Sequence, residues 1–113
     1  MPERIFAIIR NADTVLVSPV SFYEIGQKVR LGKWSTMEPY VARLSQHLAA
    51  DNGRIAELTP EICLAAALLN WTHRDPFDRM LAATALHYRL PLISADAVFD
   101  GMGGDGGRVT RVW

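Results

Sequence analysis

The sequence is poor in cysteine: Cys63 stands alone, which excludes a disulfide framework and a zinc site built from several thiolates. It has no net charge, with 12 Lys and Arg against 12 Asp and Glu. A general basic footprint for nucleic acid is therefore absent, and any such surface must be local. No apolar run approaches the roughly 20 residues of a membrane span. The start, with Glu3 and Arg4 and no small-residue cleavage site after a long apolar core, does not read as a signal peptide. No Gly-x-Ser-x-Gly, P-loop or Gly-x-Gly-x-x-Gly motif occurs. The five glycines of 101–107 come late with no helix behind them, so they form no phosphate cradle. What is present is an apolar half and a charged fifth of a 113-residue chain, the composition of one globular domain in a reducing, cytoplasmic setting.

Along the chain, the apolar stretch 5–9 predicts a short helix, broken by Asn11-Ala12-Asp13. Thr14–Ser18 is β-branched and continuous, as in a strand buried on both faces. Ser18-Pro19, Thr59-Pro60 and Asp75-Pro76 each join a cap residue to a proline suited to the first helical position. The helices they open are expected to run to Leu31, to Leu69 and to Tyr88. Ser35-Thr36-Met37-Glu38 reads as a capping box for a helix carrying Met37, Tyr40, Val41, Leu44 and Leu48. Arg54–Leu58, Leu92–Ser94 and Val109–Trp113 are expected strands, Ala97–Asp100 a turn or short helix, and Gly101–Gly107 a mobile loop. Strands alternating with helices over short connections indicate an α/β fold with a mostly parallel sheet. Function in such sheets gathers at the carboxyl ends of strands.

Acidic residues recur there. Glu24 lies in the helix after Thr14–Ser18, Asp75 and Asp78 open a helix, and Asp96 follows Leu92–Ser94. Two carboxylates about 4 Å apart repel by roughly 4 kcal/mol at an effective dielectric of 20. A set of three calls for a hard divalent cation with oxygen ligands, such as Mg²⁺ or Mn²⁺. Spacing alone leaves each residue a structural role as well. Asp75 is placed to cap, Asp78 is the third helical residue of an acidic capping box, Asp96 precedes a turn, and Glu24 stands four residues before Lys28. His73 offers a general base but reads more readily as a surface or capping residue, and Cys63 reads as a buried core thiol rather than a nucleophile. Lys28, Arg30, Lys33, Arg74 and Arg79 are cations that a phosphate backbone could meet, or an ordinary solvated surface.

Taken in blocks, the residues resemble a known family. Phe22–Trp34 (FYEIGQKVRLGKW), His73–Ala85 (HRDPFDRMLAATA) and Leu92–Phe99 (LISADAVF) are similar to successive acidic motifs of PIN-domain proteins of the VapC toxin type, and Val112-Trp113 to their last strand. The resemblance covers nearly the whole chain. It implies a three-layer α/β/α fold with a parallel sheet. It also implies an endoribonuclease dependent on Mg²⁺ or Mn²⁺, acting on RNA as the toxin partner of a cognate antitoxin protein. Matched residue by residue, Glu24, Asp78 and Asp96 take the family's acidic, metal-binding positions, with Asp75 a frequent companion.

One departure stands out. Family members begin with a short strand ending in Asp, in a pattern like Leu-Leu-Asp-Thr-His, which this chain lacks; Asp13 sits before the next strand and does not replace it. The expectation is thus a single PIN-like domain over 1–113 without its first strand. Removing a central strand leaves a gap of nearly 10 Å between its neighbours and exposes unpaired edges. Self-association, weak cation binding and impaired cleavage are the expected results. The alternative of another class is a catalytically inactive PIN-like module that assembles with an antitoxin or with itself.

Overall fold

Helix starts are the part of the architecture that local chemistry dictates most directly. The computed structural model describes residues 7, 11–12, 14–94, 96–102 and 109–112. The described elements run β1 (Val15–Val17), α1 (Pro19–Arg30), a 3₁₀ segment (Ser35–Arg43), α2 (Leu44–Ala50), β2 (Gly53–Ile55), α3 (Pro60–Leu68), α4 (Pro76–Tyr88), β3 (Leu92–Ile93), a second 3₁₀ segment (Ala97–Gly101) and β4 (Arg111–Val112). They divide into two units, Ala12–Glu57 and the remainder, Met1–Asn11 with Leu58–Trp113. Of the expected helix at 5–9 only Ala7 is described, and it is helical; the expected glycine loop beyond Met102 and up to Arg108 lies outside the described residues.

In the unit Ala12–Glu57, β1 pairs with β2 in parallel, Val15 opposite Gly53 and Val17 opposite Ile55. Ser18 ends the strand and starts α1: its Oγ accepts from the Val20 amide at 3.1 Å, with Pro19 in the first turn. The helix closes in a Schellman motif. Gly32 takes φ 74°, its amide bonds the Val29 carbonyl, and the Lys33 amide reaches the Lys28 carbonyl. β2 is shorter than the expected 54–58, because β1 offers only three rungs and a single further bond, Ala56 amide to Val17 carbonyl. The residues of β1 are half-buried, not buried on both faces as expected. The capping box at Ser35 does not form. Trp34 takes the cap position without a side-chain bond, and Ser35–Arg43 is a 3₁₀ segment. Pro39 inside it has no amide hydrogen and its ring clashes with the carbonyl four residues back, so the α-helix starts only at Leu44.

In the other unit, β3 pairs with β4 in parallel, Leu92 opposite Arg111. Thr59 Oγ1 accepts from the Ile62 amide at 3.2 Å and Pro60 starts α3. Ile62 and Ala66, one turn apart, pack with Ala83 of α4 in one cluster. Ala82 packs with Phe99, Met102 and Val109 in a second. α3 is apolar on nearly every side, with Glu61 in its first turn the exception, yet only Ile62 and Ala66 are buried. Cys63 points away from that face and is exposed, which corrects the core-thiol expectation. α4 ends at a residue in the left-handed region, Arg89 with φ 55°, where its amide reaches Leu86 and that of Leu90 reaches Ala85.

The observed pairing is parallel throughout, in an α/β fold consistent with a three-layer α/β/α arrangement. No described helix is long and apolar enough to cross a membrane.

Arg79 joins α3 to α4. Its Nε donates to the Ala66 carbonyl at 2.9 Å. Nη1 donates to Trp71 and His73 at 2.7 and 2.9 Å, and Nη2 to Ala67 and Leu69 at 3.2 and 2.8 Å. All five guanidinium N–H groups are engaged. The Ala66 and Ala67 carbonyls lie at the negative end of α3, that of Ala66 also accepting from the Leu69 amide, while Leu69, Trp71 and His73 turn alternate carbonyls of the following extended segment to the same cation. This corrects the phosphate-contact reading of Arg79. Replacing it with Lys keeps the charge but not the fork. Arg79→Lys is expected to destabilise the protein by about 3 kcal/mol, measured by denaturant unfolding. A change within experimental error would show the carbonyls to be satisfied otherwise.

Candidate active site

Each candidate carboxylate sits where a local hydrogen-bonding demand places it. Asp75 is the N-cap of α4, its Oδ1 accepting from the amides of Phe77 at 2.8 Å and Asp78 at 3.2 Å. The structural role that spacing offered Asp75 is therefore realised. Asp78 stands in the first turn of α4, where the helix dipole favours a negative charge. Its carboxylate does not bond as a capping box would. It turns instead to His73, Nε2 to Oδ2 at 2.7 Å, with the two side chains 29% and 21% exposed. Partial burial shields this pair from solvent more than an open surface would.

Asp96 caps the second 3₁₀ segment. Its Oδ1 accepts from the Val98 amide at 3.0 Å, and its own amide donates to Ser94 Oγ at 3.1 Å. Arg111 of β4 binds Asp100 through Nε to Oδ1 at 2.9 Å and Nη2 to Oδ2 at 2.8 Å, and donates to the Ser94 carbonyl at 3.1 Å. Asp96 adds to the negative field at Arg111. The Asp96 and Asp78 segments are linked by aromatic contacts. Phe99, 2% exposed, meets Trp71 at 5.9 Å between ring centroids, and Trp71 meets His73 at 5.0 Å.

Glu24 belongs to the other unit, half-buried on α1. Among the described residues no group of three or more His, Cys, Asp or Glu lies together as a metal site requires. The donor chemistry nonetheless suits a hard divalent cation. Asp78 Oδ1 and Asp96 Oδ2 have no hydrogen-bond partner among the described residues, and carboxylate oxygens are the ligands Mg²⁺ and Mn²⁺ favour. A groove of about 460 Å³ lined by Ala65, Leu68, Asn70, Ala83 and His87 carries no carboxylate.

Sequence reading missed two participants. His73 was a lone loop histidine until folding brought it to an acid five residues on, and Arg79 was one cation among several. A guanidinium directly after Asp78 was the available signal, but its carbonyl partners follow no residue type and so leave no motif.

The sequence model of one family, described as PIN domain, matches residues 2–105. No curated protein and no solved structure matches the chain.

Two predictions follow from these hydrogen bonds. Asp75→Ala removes the cap and is expected to cost about 1 kcal/mol of stability, whereas Asp75→Asn retains it; equal losses in thermal melts would contradict the capping role. Arg111 beside Asp100 holds that carboxyl below its ordinary 3.8. A lowered value means the pair stabilises the fold above pH 3.8 and ceases to as pH falls through the lowered value. Asp100→Asn should thus lower the melting temperature at neutral pH, and the difference should close in acid. A gap unchanged at about pH 2 would rule out the ion pair as its source.

Proposed function

Because the chain belongs to the PIN domain family, whose members share a nuclease-type fold, we propose that it is a divalent-metal-dependent endoribonuclease of the VapC type. In this reading it acts in the cytoplasm as the toxin of a toxin–antitoxin pair and assembles with itself and with the antitoxin protein. The observation that supports this most is the family match over 2–105, which takes in Glu24, Asp78 and Asp96 together. PIN domains are usually metal-dependent nucleases, and these three carboxylates are the residues proposed to hold Mg²⁺ or Mn²⁺, with Asp75 kept as a cap.

When bound, such an ion lowers the pKa of a water, orients it for in-line attack on the phosphodiester and neutralises the leaving oxygen. The chain's own part is to present oxygens at fixed positions. Asp78 offers Oδ1 while Oδ2 is held by His73, and Asp96 offers Oδ2 while Oδ1 caps the 3₁₀ segment. Lys28, Arg30, Lys33 and Arg74 are exposed and able to meet the RNA backbone, contacts that position the strand without reading its sequence.

The test is cleavage of a labelled RNA by the purified 113-residue protein with Mg²⁺ or Mn²⁺. Glu24→Gln, Asp78→Asn and Asp96→Asn should each lower the rate about 100-fold or more with folding retained, and a chelator should abolish cleavage until Mn²⁺ is restored. Cleavage that survives both the chelator and Glu24→Gln would overturn the carboxylate mechanism. An inert wild type that still binds a co-encoded small protein would favour the inactive binding module.

A further inference from the structure

Large aromatic side chains gain most from burial, yet in the unit Ala12–Glu57 Trp34 is 39% and Tyr40 49% exposed. Their placement follows from Pro39. It keeps the segment from winding as an α-helix, in which Tyr40 would stand about 120° around the axis from Trp34. The segment Ser35–Arg43 is 3₁₀ instead, with Trp34 as its cap residue. Three residues per turn put Trp34, Met37, Tyr40 and Arg43 on one line, with the two rings about 12 Å apart along it. Met37 between them is half-buried. The Tyr40 ring meets His47 of α2 edge to face, 5.5 Å between centroids, which steadies it without covering it.

Cations gather beside the rings. α1 packs against the 3₁₀ segment and carries Lys28 and Arg30 in its last turn. The Lys33 amide bonds the Lys28 carbonyl at 2.8 Å, so the chain turns back beside them before it reaches Trp34. Lys28, Arg30, Lys33 and Arg43 are all exposed, and Glu38 is the only acid from 28 to 43. The negative end of α1 accounts for Lys28 and Arg30 but not for Lys33 and the rings beyond it. A protein partner would ask for a different surface, because lysine is depleted in protein interfaces. Phosphates call for a row of cations, and bases for flat faces.

We propose that Trp34 and Tyr40 are a stacking platform for bases of a single-stranded RNA whose phosphates run along Lys28, Arg30, Lys33 and Arg43. This rests on the nuclease reading only in the choice of RNA; the binding itself needs neither a metal nor the candidate carboxylates. The platform tolerates sequence, since every base has a flat face. A duplex keeps its bases stacked on one another and offers the rings nothing.

The experiment is titration of the full chain into a fluorescein-labelled single-stranded RNA of about 12 nucleotides, followed by anisotropy. A chelator is present so that no cleavage intervenes, and each variant is checked by a thermal melt. Trp34→Ala and Tyr40→Ala should each weaken binding about 5–150-fold with the salt dependence unchanged, and Trp34→Phe should recover most of the loss. Lys33→Ala should instead lower the slope of log affinity against log salt by about 0.7. Duplex RNA should bind more weakly and be indifferent to Trp34→Ala. Wild-type affinity in folded Trp34→Ala and Tyr40→Ala would overturn the inference, as would equal losses for duplex and single strand, or a wild type that binds no RNA. A Trp34→Ala variant with altered sedimentation and intact RNA affinity would make the rings a protein contact and refute the platform. Failure of the nuclease reading is separately visible, because RNA would then be held through these rings yet stay uncut when Mn²⁺ is supplied. A measurement on the unaltered protein guards against a variant that does not fold. Ultraviolet cross-linking of bromouridine-substituted RNA should mark Trp34 or Tyr40, and adducts that spare both rings would contradict the proposal.

Discussion

The guanidinium of Arg79 is the contact on which the acidic end of this unit depends. An α-helix that stops leaves carbonyls without partners, and an extended segment leaving it adds more. One planar cation with five donors answers both needs at once, binding Ala66 and Ala67 at the end of α3 and Leu69, Trp71 and His73 beyond it. Without that hub the Ala67, Trp71 and His73 carbonyls would have to find water, since only those of Ala66 and Leu69 also accept from backbone amides. The position of His73, and through it of Asp78, would then no longer be fixed by backbone. The helix that carries Asp78 thereby also fixes the segment that holds it.

Local chemistry made much of the fold readable. Ser18, Thr59 and Asp75, each followed by proline, mark helix starts because the cap and the missing amide hydrogen act within a few residues. The parallel pairing was legible from alternation of strands and helices. Pro39 is visible too, but in the sequence its effect is masked by an attractive capping pattern at Ser35. The exposed Cys63 shows a different limit: in a helix with Glu61 as its one charged residue, composition does not say which stripe is buried.

For the site, the acidic motifs stood out as residue types in a familiar order, and the capping roles of Asp75 and Asp96 followed from position. The partnership of His73 with Asp78 did not. It depends on the path of an extended segment held by carbonyl bonds, and a carbonyl belongs to every residue type alike. Aromatic support from Trp71 and Phe99 likewise joins residues far apart in the chain, one ahead of α4 and one behind it.

The Arg79 and His73 bonds also differ in range from the strand pairing. They span 5 to 13 residues, whereas the Thr14 hydroxyl reaches Asn52 across 38. Closing long loops is what slows folding, and short-range contacts form early. The hairpin of α3 and α4 can therefore assemble around Arg79 during the first stages of folding, before β1 finds β2. The Asp78 carboxylate would acquire its histidine partner at that stage, ahead of the long-range pairing on which β1 and β2 depend.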